Sequence, residues 1–242
     1  MMNKPSRYRV NKSKISDFQI CIIGWYGKYG RHFPWRKKST SNYRKIIVEV
    51  LLQRTRAETV AAFFPAFVQA FPSWTSLASA SETDLQQFLK PIGLWRRRAI
   101  SLIAFSQAMA IRRGRFPRTR DEIESLPSVG QYIANAILLF CHGEPQPLLD
   151  SGMARVLERV FGERIMADIR FDSYLQKLAH EVVSMPNPRV INWAILDLAS
   201  LICRPKNPKC PVCPVNKICR YAKMHRLLNQ TEAKAEVLKN QF

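Results

Sequence analysis

The chain of 242 residues carries 38 Lys and Arg residues against 18 Asp and Glu, a formal charge of 38 − 18 = +20, and 47% of its residues are hydrophobic. That length and composition allow a substantial buried core, which excludes a disordered or fibrous protein. The large positive charge opposes compaction unless a polyanion offsets it, and nucleic acid is the commonest such partner.

The basic N-terminus is not followed by an apolar run long enough for a signal peptide, because the stretch 21–26 is short and interrupted by Gly24. A membrane surface is the other partner to consider, but we find neither a transmembrane span nor a basic amphipathic helix. We therefore expect a cytoplasmic protein, nucleoid-associated if the source is bacterial, whose cysteines stay reduced.

Helical periodicity dominates the chain, and no strict apolar alternation is long enough to indicate a sheet. The sequence predicts many helices of moderate length, separated by residues such as Pro65, Pro72 and Gly93. One helix start is marked by Thr119 and Glu122, the polar ends of a T-x-x-E capping pattern. Three apolar stripes are predicted to face the core: Val48, Leu51, Leu52; Val60, Phe63, Phe64, Phe67; and Ile100, Ile103, Ala104, Ala108.

Residues 126–130, LPSVG, predict a tight hairpin between two helices. Such a turn points its backbone N–H groups and the positive end of the second helix outward, which suits one DNA phosphate. Ordinary helix packing explains the same pattern equally well. Arginines gather before the hairpin, and if six phosphates are neutralised DNA affinity should fall about a thousandfold between about 50 and 200 mM salt. They are Arg96, Arg97, Arg98, Arg112, Arg113, Arg115, Arg118 and Arg120.

Four cysteines stand close together near the C-terminus, which in a reducing compartment indicates a metal site rather than disulfides. They are Cys203, Cys210, Cys213 and Cys219. Zinc sites usually pair two C-x-x-C units, and here only one such unit is present. An iron–sulfur cluster accepts four cysteines at looser spacing, so spacing favours the cluster and leaves zinc open.

The hairpin, Asp150 and the four cysteines, in that order, resemble the helix-hairpin-helix DNA glycosylases of the endonuclease III superfamily, from about residue 33 to residue 220. That family has an L-P-G-V-G type of hairpin, then a catalytic or pocket position, here Tyr132, and then an essential Asp opening a later helix, here Asp150. The resemblance implies an all-α, two-lobed fold with a C-terminal loop that holds a structural [4Fe–4S] cluster.

The resemblance also implies a division of the chain into lobes. An N-terminal segment, 1–42, is expected to pack with the cluster lobe, 150–222. Residues 43–149 form a helical barrel that carries the hairpin, and 223–242 form a tail. The expected partner is double-stranded DNA containing a mismatch or altered base, held in the groove between the lobes, and the protein is expected to be a monomer that does not bind membranes.

Some members of the superfamily use a Lys amine at the position of Tyr132 to form a Schiff base and cut the strand. This chain has no Lys between Lys90 and Lys177. We therefore expect a monofunctional glycosylase, which hydrolyses the N-glycosidic bond and has no lyase activity. Asp150 is expected to stabilise the developing sugar cation and to deprotonate water, although an Asp at this place is also an ordinary helix N-cap.

Other residues receive roles from the same resemblance. Glu49 is expected to protonate the leaving base or hold water, and Tyr132 to line the pocket; a plain helix Glu and a packed aromatic are the alternatives. Gln53 and Arg54 follow where relatives fill the gap left by a flipped nucleotide, although Arg54 equally fits phosphate binding. Further DNA contacts are expected from Pro127, Ser128, Val129, Gly130, Gln131, Arg204, Lys206 and Lys209.

The base removed is expected to be thymine or uracil opposite guanine. Compact mismatch-specific thymine glycosylases share the Tyr, the Asp and an I-G-L segment, here Ile92–Leu94. Adenine glycosylases, which act opposite 8-oxoguanine, share FPWR, residues 33–36, but normally carry a further C-terminal domain. Excision of adenine or of a modified base, and a non-catalytic DNA-binding iron–sulfur protein, stay as alternatives. Ser128 in place of the usual hairpin Gly, and DSGM after Leu149, depart from the family pattern.

Overall fold

A computed structural model describes residues 11–225, and every regular element in that range is helical, which confirms the all-α expectation. Residues 1–10 and 226–242, which include most of the expected tail, lie outside the described residues. The α-helices are α1 Lys12–Tyr29, α2 Asn42–Leu52, α3 Ala57–Ala70, α4 Trp74–Ala78, α5 Glu82–Leu89, α6 Trp95–Ile111, α7 Arg120–Glu124, α8 Gln131–Ile137, α9 Ser151–Phe161, α10 Ser173–Val183 and α11 Pro188–Leu201. A π-helical segment, Leu138–His142, extends α8.

The described residues divide into two compact units. One consists of residues 11–31 together with 147–225, and the other of His32–Gln146. Nowhere in 11–225 does a helix reach the length and apolar character of a membrane span.

In the unit His32–Gln146, two of the three predicted stripes face the core. Val48 and Leu51 of α2 and Phe64 and Phe67 of α3 are buried. The third stripe was predicted on the wrong face of α6, because Ile100 is 54% exposed. The buried face of α6 instead carries larger apolar side chains, whose burial removes more apolar surface from water. It consists of Ala99, Leu102, Phe105 and Met109, together with Arg98 and Ser106.

Pro65 was predicted to separate helices but lies inside α3. A proline in a helix interior removes one backbone hydrogen bond and crowds the preceding turn, at a cost of about 3 kcal/mol. Aromatic packing against α5 opposes this cost, because the ring of Phe88 lies 5.4 Å from that of Phe63 and 6.2 Å from that of Phe67. Tertiary contacts therefore decide the structure of this segment over local preference.

In the other unit, α1 packs against α10 and α11, and α9 packs against the same two helices. Phe18 and Ile22 of α1 are fully buried in this core. An ion pair fixes the end of α1, because Arg31 donates to the fully buried Asp197 through its backbone N–H and its Nε, each at 2.8 Å.

Polar N-caps decide where several helices begin. The side chains of Ser41, Ser73 and Ser81 each accept a hydrogen bond from the backbone N–H three residues later. The predicted start at Thr119 is confirmed, since its hydroxyl accepts from the Glu122 N–H at 3.4 Å. The reciprocal half of the capping box differs, because the Thr119 hydroxyl itself donates to Glu122 Oε2 at 3.0 Å.

Candidate functional site

Glu49 and Tyr132 meet where α2 packs against α8. Glu49 lies on the buried face of α2 and is 4% exposed. Tyr132 is the second residue of α8 and is half-buried. Its hydroxyl donates to Glu49 Oε2 at 2.9 Å. Both residues were predicted from the sequence as site residues, but their contact was not predicted. The burial of Glu49 excludes the alternative of a plain Glu on a helix surface.

Gln53 and Arg54 directly follow α2 and are exposed. Arg54 has φ of 57°, in the left-handed region that is uncommon for residues other than glycine. The backbone therefore turns sharply one helical turn after Glu49. This placement leaves both side chains accessible to a ligand, and their predicted role at a flipped nucleotide stays a prediction.

The hairpin lies between α7 and α8 as predicted. Leu126 and Val129 are buried, and the Val129 N–H donates to the Leu126 carbonyl at 3.2 Å. Pro127, Ser128 and Gly130 are exposed. Ser128 has φ of 63°, so the serine keeps the backbone conformation that favours glycine. Gln131, the first residue of α8, is half-buried.

Asp150 belongs to the other unit and is the N-cap of α9, with Oδ1 accepting from the Met153 N–H at 2.7 Å. Burial raises the pKa of the Asp150 carboxyl, although N–H bonds from Met153 and Gly152 and the charge of Arg155 oppose the rise. A β-carbon on Gly152 would stand 3.1 Å from Asp150 Oδ1 and 3.2 Å from the Ala199 side chain. The cap thus holds the carboxylate in one direction, and a small residue is needed beside it.

The four predicted metal-ligating cysteines line one pocket, together with apolar side chains such as Val156, Val160 and Leu198. Burial raises the pKa of the Cys213 thiol to about 12, and the charges of the other three cysteines add to the rise. Burial and neighbouring cysteine charges also raise the pKa of Cys210. Four thiols that oppose one another's ionisation fit a cationic group, which would remove that opposition.

Zinc and an iron–sulfur cluster would place different demands on the four sulfurs. Within residues 11–225, no three His, Cys, Asp or Glu side chains form a group that could hold a metal ion. Zinc needs all its sulfur ligands about 2.3 Å from one centre. A four-iron cluster binds each thiolate through a different iron and therefore accepts sulfurs that are farther apart.

Two arginines of α9 hold the cysteine loop, and sequence reasoning missed both. Arg155 Nε donates to the Cys203 carbonyl at 2.8 Å. Arg159 Nη1 donates to the Arg204 carbonyl at 2.7 Å and lies 3.4 Å from Cys203 Sγ. The two arginines are four residues apart and therefore lie on one face of α9, and this spacing could have predicted that they act together. The predicted cations of this loop, Arg204, Lys206 and Lys209, are exposed.

Six of the eight arginines gathered before the hairpin are also exposed. Arg120 is half-buried and pairs with Glu124 at 2.8 Å and with Asn135 at 2.7 Å. Arg98, predicted among the cations that face DNA, is instead buried at 5% exposure. The exposed arginines of this segment are therefore two fewer than the sequence count.

Known proteins resemble this chain over most of its length. Residues 47–181 match the HhH-GPD superfamily of base excision DNA repair proteins. The chain is 33% identical to the thymine-DNA glycosylase of Aeropyrum pernix over 88% of this chain and 97% of that protein. It is 30% identical to the adenine DNA glycosylase of Homo sapiens over 86% of this chain, which spans only 40% of that relative. Among solved structures, a thermostable thymine-DNA glycosylase aligns with a TM-score of 0.80 at 29% identity, covering 88% of this chain and 98% of that one.

Proposed function

The chain belongs to the HhH-GPD superfamily of base excision DNA repair proteins, and from that premise we propose that it is a monofunctional DNA glycosylase that removes thymine or uracil opposite guanine. The observation that carries the proposal is the Tyr132–Glu49 contact. A Schiff-base lyase needs an amine where Tyr132 stands, and a phenol hydrogen-bonded to a carboxylate cannot supply one. Similarity to a thymine-DNA glycosylase along nearly its whole length supports the choice of base.

The proposed reaction is hydrolysis of the bond between C1′ of deoxyribose and the base nitrogen. As this bond breaks, the electron pair leaves with the base and positive charge develops on the sugar, which the Asp150 carboxylate stabilises. The oxygen of a water molecule then bonds to C1′, and Asp150 accepts the proton that the water loses. The raised pKa of Asp150 makes it a stronger base than an exposed Asp.

Glu49 is proposed to hold the attacking water, because its carboxyl oxygens accept hydrogen bonds and one of them is already fixed by the Tyr132 hydroxyl. Protonation of the departing base by Glu49 is the alternative role. Tyr132 presents its ring to the extruded base, since its hydroxyl is bound to Glu49 and its direction is fixed.

The cysteine loop is proposed to hold a [4Fe–4S] cluster through Cys203, Cys210, Cys213 and Cys219. When bound, the cluster supplies rigidity and takes no part in hydrolysis. The exposed Arg204, Lys206 and Lys209 would then reach DNA phosphates from a fixed loop. The hairpin residues 127–131 are proposed to contact a further phosphate. Membership of the superfamily also supports the proposed division into a barrel, 43–149, and a cluster lobe, 150–222.

The test is a panel of duplexes containing G:T, G:U, adenine opposite 8-oxoguanine, and matched G:C and A:T pairs. Each is incubated with the purified protein and then treated with alkali, which cleaves only at abasic sites. We expect breaks at G:T and G:U that disappear in Asp150→Asn and none before alkali. Breaks without alkali would indicate a lyase.

Two other outcomes would replace the proposal. Breaks only at adenine opposite 8-oxoguanine would establish the adenine glycosylase reading, which the similarity to the human adenine enzyme supports. Tight binding without breaks on any duplex would establish a non-catalytic DNA-binding protein. Binding is measured at about 50 and 200 mM salt, because affinity that did not change would contradict contact with several phosphates.

A further inference from the structure

Arg98 is a charged residue buried in the first turn of α6. It is 5% exposed, and burial lowers the pKa of its guanidinium. An arginine nevertheless stays protonated in a protein, so this is a buried positive charge. Its contacts within residues 11–225 include no carboxylate, and burial of a charge without a counter-ion is costly. The cost of burying this charge indicates that Arg98 does more than fill space in the core.

The guanidinium joins two turns that are far apart in sequence. Its Nη1 donates to the carbonyls of Gly93 at 2.8 Å and Ile92 at 3.0 Å. Its Nη2 donates to the Gln53 carbonyl at 2.8 Å and to Thr55 Oγ1 at 3.0 Å. The Thr55 hydroxyl in turn donates to the Ile92 carbonyl at 3.2 Å. One planar side chain thus fixes the turn 53–55 against the turn 92–94.

Both turns hold an exposed residue in an uncommon backbone conformation. Arg54 has φ of 57° and Leu94 has φ of 52°. For a residue with a β-carbon this region costs about 1–2 kcal/mol. Such conformations persist only where surrounding contacts determine them, and Arg98 contacts the backbone on the N-terminal side of each.

We propose that Arg98 is a positioning residue that locks the turns 53–55 and 92–94 into one rigid surface for DNA. The inference deepens the proposed function, because the DNA-facing role of Gln53 and Arg54 rests on it. A surface ordered before binding loses less entropy on contact, so the brace is expected to favour extrusion of the target nucleotide. Arg98 acts through the turns and does not touch the reacting atoms.

The brace itself is tested without DNA, by amide hydrogen exchange. The Thr55 N–H is bonded to the Leu52 carbonyl, and the Gly93 N–H to the Lys90 carbonyl, so both amides are protected. In Arg98→Met we expect both to exchange about tenfold faster or more, while Arg98→Lys, which keeps the charge without the planar fork, gives an intermediate increase. Arg44→Met removes an exposed charge from the same unit and should leave both rates unchanged.

A second variant keeps the proposal falsifiable if Arg98→Met does not fold. Thr55→Val removes the hydroxyl that links Arg98 to the Ile92 carbonyl but keeps the guanidinium. Faster exchange at Gly93 in this variant, 38 positions away in sequence (93 − 55 = 38), is expected. Exchange at Gly93 and Thr55 that stays unchanged in Arg98→Lys would overturn the brace, since the two turns would then be ordered without the four guanidinium hydrogen bonds.

The consequence for DNA is measured with a duplex that carries 2-aminopurine beside a G:T pair, which becomes fluorescent when its stacking is lost. In Arg98→Lys we expect the fluorescence rise and the single-turnover excision rate to fall about tenfold to a hundredfold, with affinity reduced much less. A loss of affinity equal to the loss of rate would overturn the positioning role. If the unaltered protein excises nothing, the proposed function fails, and the exchange experiment still decides on the brace.

Discussion

The hydroxyl of Tyr132 donates a hydrogen bond of 2.9 Å to Oε2 of Glu49, a side chain that is 4% exposed and 83 positions away in sequence. A buried carboxylate needs donors, since an unsatisfied one loses its hydration without replacement. The bond therefore fixes the positions of both side chains, and a substitution of either residue alters the position of the other.

Glu49→Gln is expected to lower the single-turnover excision rate by about 10²–10⁴, because a neutral amide holds the attacking water more weakly than a carboxylate and cannot protonate the departing base. Tyr132→Phe removes one hydrogen-bond donor to the buried Glu49 carboxyl, at a cost of about 1–3 kcal/mol of folding free energy. Glu163→Gln, at an exposed position, serves as the control in both assays. An excision rate in Glu49→Gln equal to that of Glu163→Gln would remove Glu49 from the mechanism.

Asp150 and Asp172 cap α9 and α10 and differ in the sign of their pKa shifts. Burial raises the pKa of Asp150 above 3.8. Burial acts on Asp172 too, but N–H donors from Met166, Leu175 and Ile165 outweigh it and lower the pKa. Asp150 thus stabilises the fold when protonated, and this contribution is lost as the pH rises through its folded-state pKa. Asp172 stabilises the fold above about pH 4 and loses that contribution as the pH falls.

At neutral pH, Asp150→Asn is therefore expected to raise the melting temperature while abolishing excision, because Asn keeps the cap but not the buried charge. Asp172→Asn should lower the free energy of unfolding by about 1–3 kcal/mol, because its amide would face N–H donors. Melting curves between about pH 3 and pH 8 measure both changes, and the two differences should converge at the acid end. A destabilised Asp150→Asn would contradict the assignment.

Local patterns predicted the hairpin, the caps at Thr119 and Asp150 and the four cysteines that share a pocket. Such features depend on residues within a few positions of one another, where spacing fixes geometry. The face of α6 was wrong, because Ile100 and Leu102 fit helical periodicity equally well and only the surrounding helices select one. The burial of Arg98 and the pairing of Glu49 with Tyr132 depend on contacts between distant segments, which no local pattern contains.

The cysteine loop gives a spectroscopic prediction. Protein isolated without oxygen should be brown and contain about four irons per chain. Cys213→Ser should lose the colour and the iron, whereas Cys21→Ser, at a cysteine of α1 that does not line the pocket, should keep both. Because burial raises the pKa of Cys213 to about 12, binding must release protons, and reconstitution with iron and sulfide should become more favourable as the pH rises. A colourless protein with one zinc per chain would contradict the cluster.

Ser106 of α6 is fully buried, and its hydroxyl has no hydrogen-bond partner in the part of the chain that the structure describes. Removal of such a group avoids its desolvation cost, so Ser106→Ala should raise the free energy of unfolding by about 1 kcal/mol or more. Ser101→Ala, on the half-buried side of the same helix, measures the gain in helix propensity alone. Urea unfolding compares the two variants, and equal gains would show that the Ser106 hydroxyl has a partner.

Ser128 occupies the hairpin with φ of 63°. Glycine adopts this conformation without the cost of about 1–2 kcal/mol that a β-carbon incurs, although it loses about 0.5–1 kcal/mol more chain entropy on folding. Ser128→Gly should therefore raise the free energy of unfolding by up to about 1 kcal/mol, while Ser128→Ala, which keeps the β-carbon, should not. If backbone N–H groups make the phosphate contact, both variants bind mismatched DNA within about twofold of the unaltered chain. An equal loss of affinity in both would instead assign the contact to the serine hydroxyl.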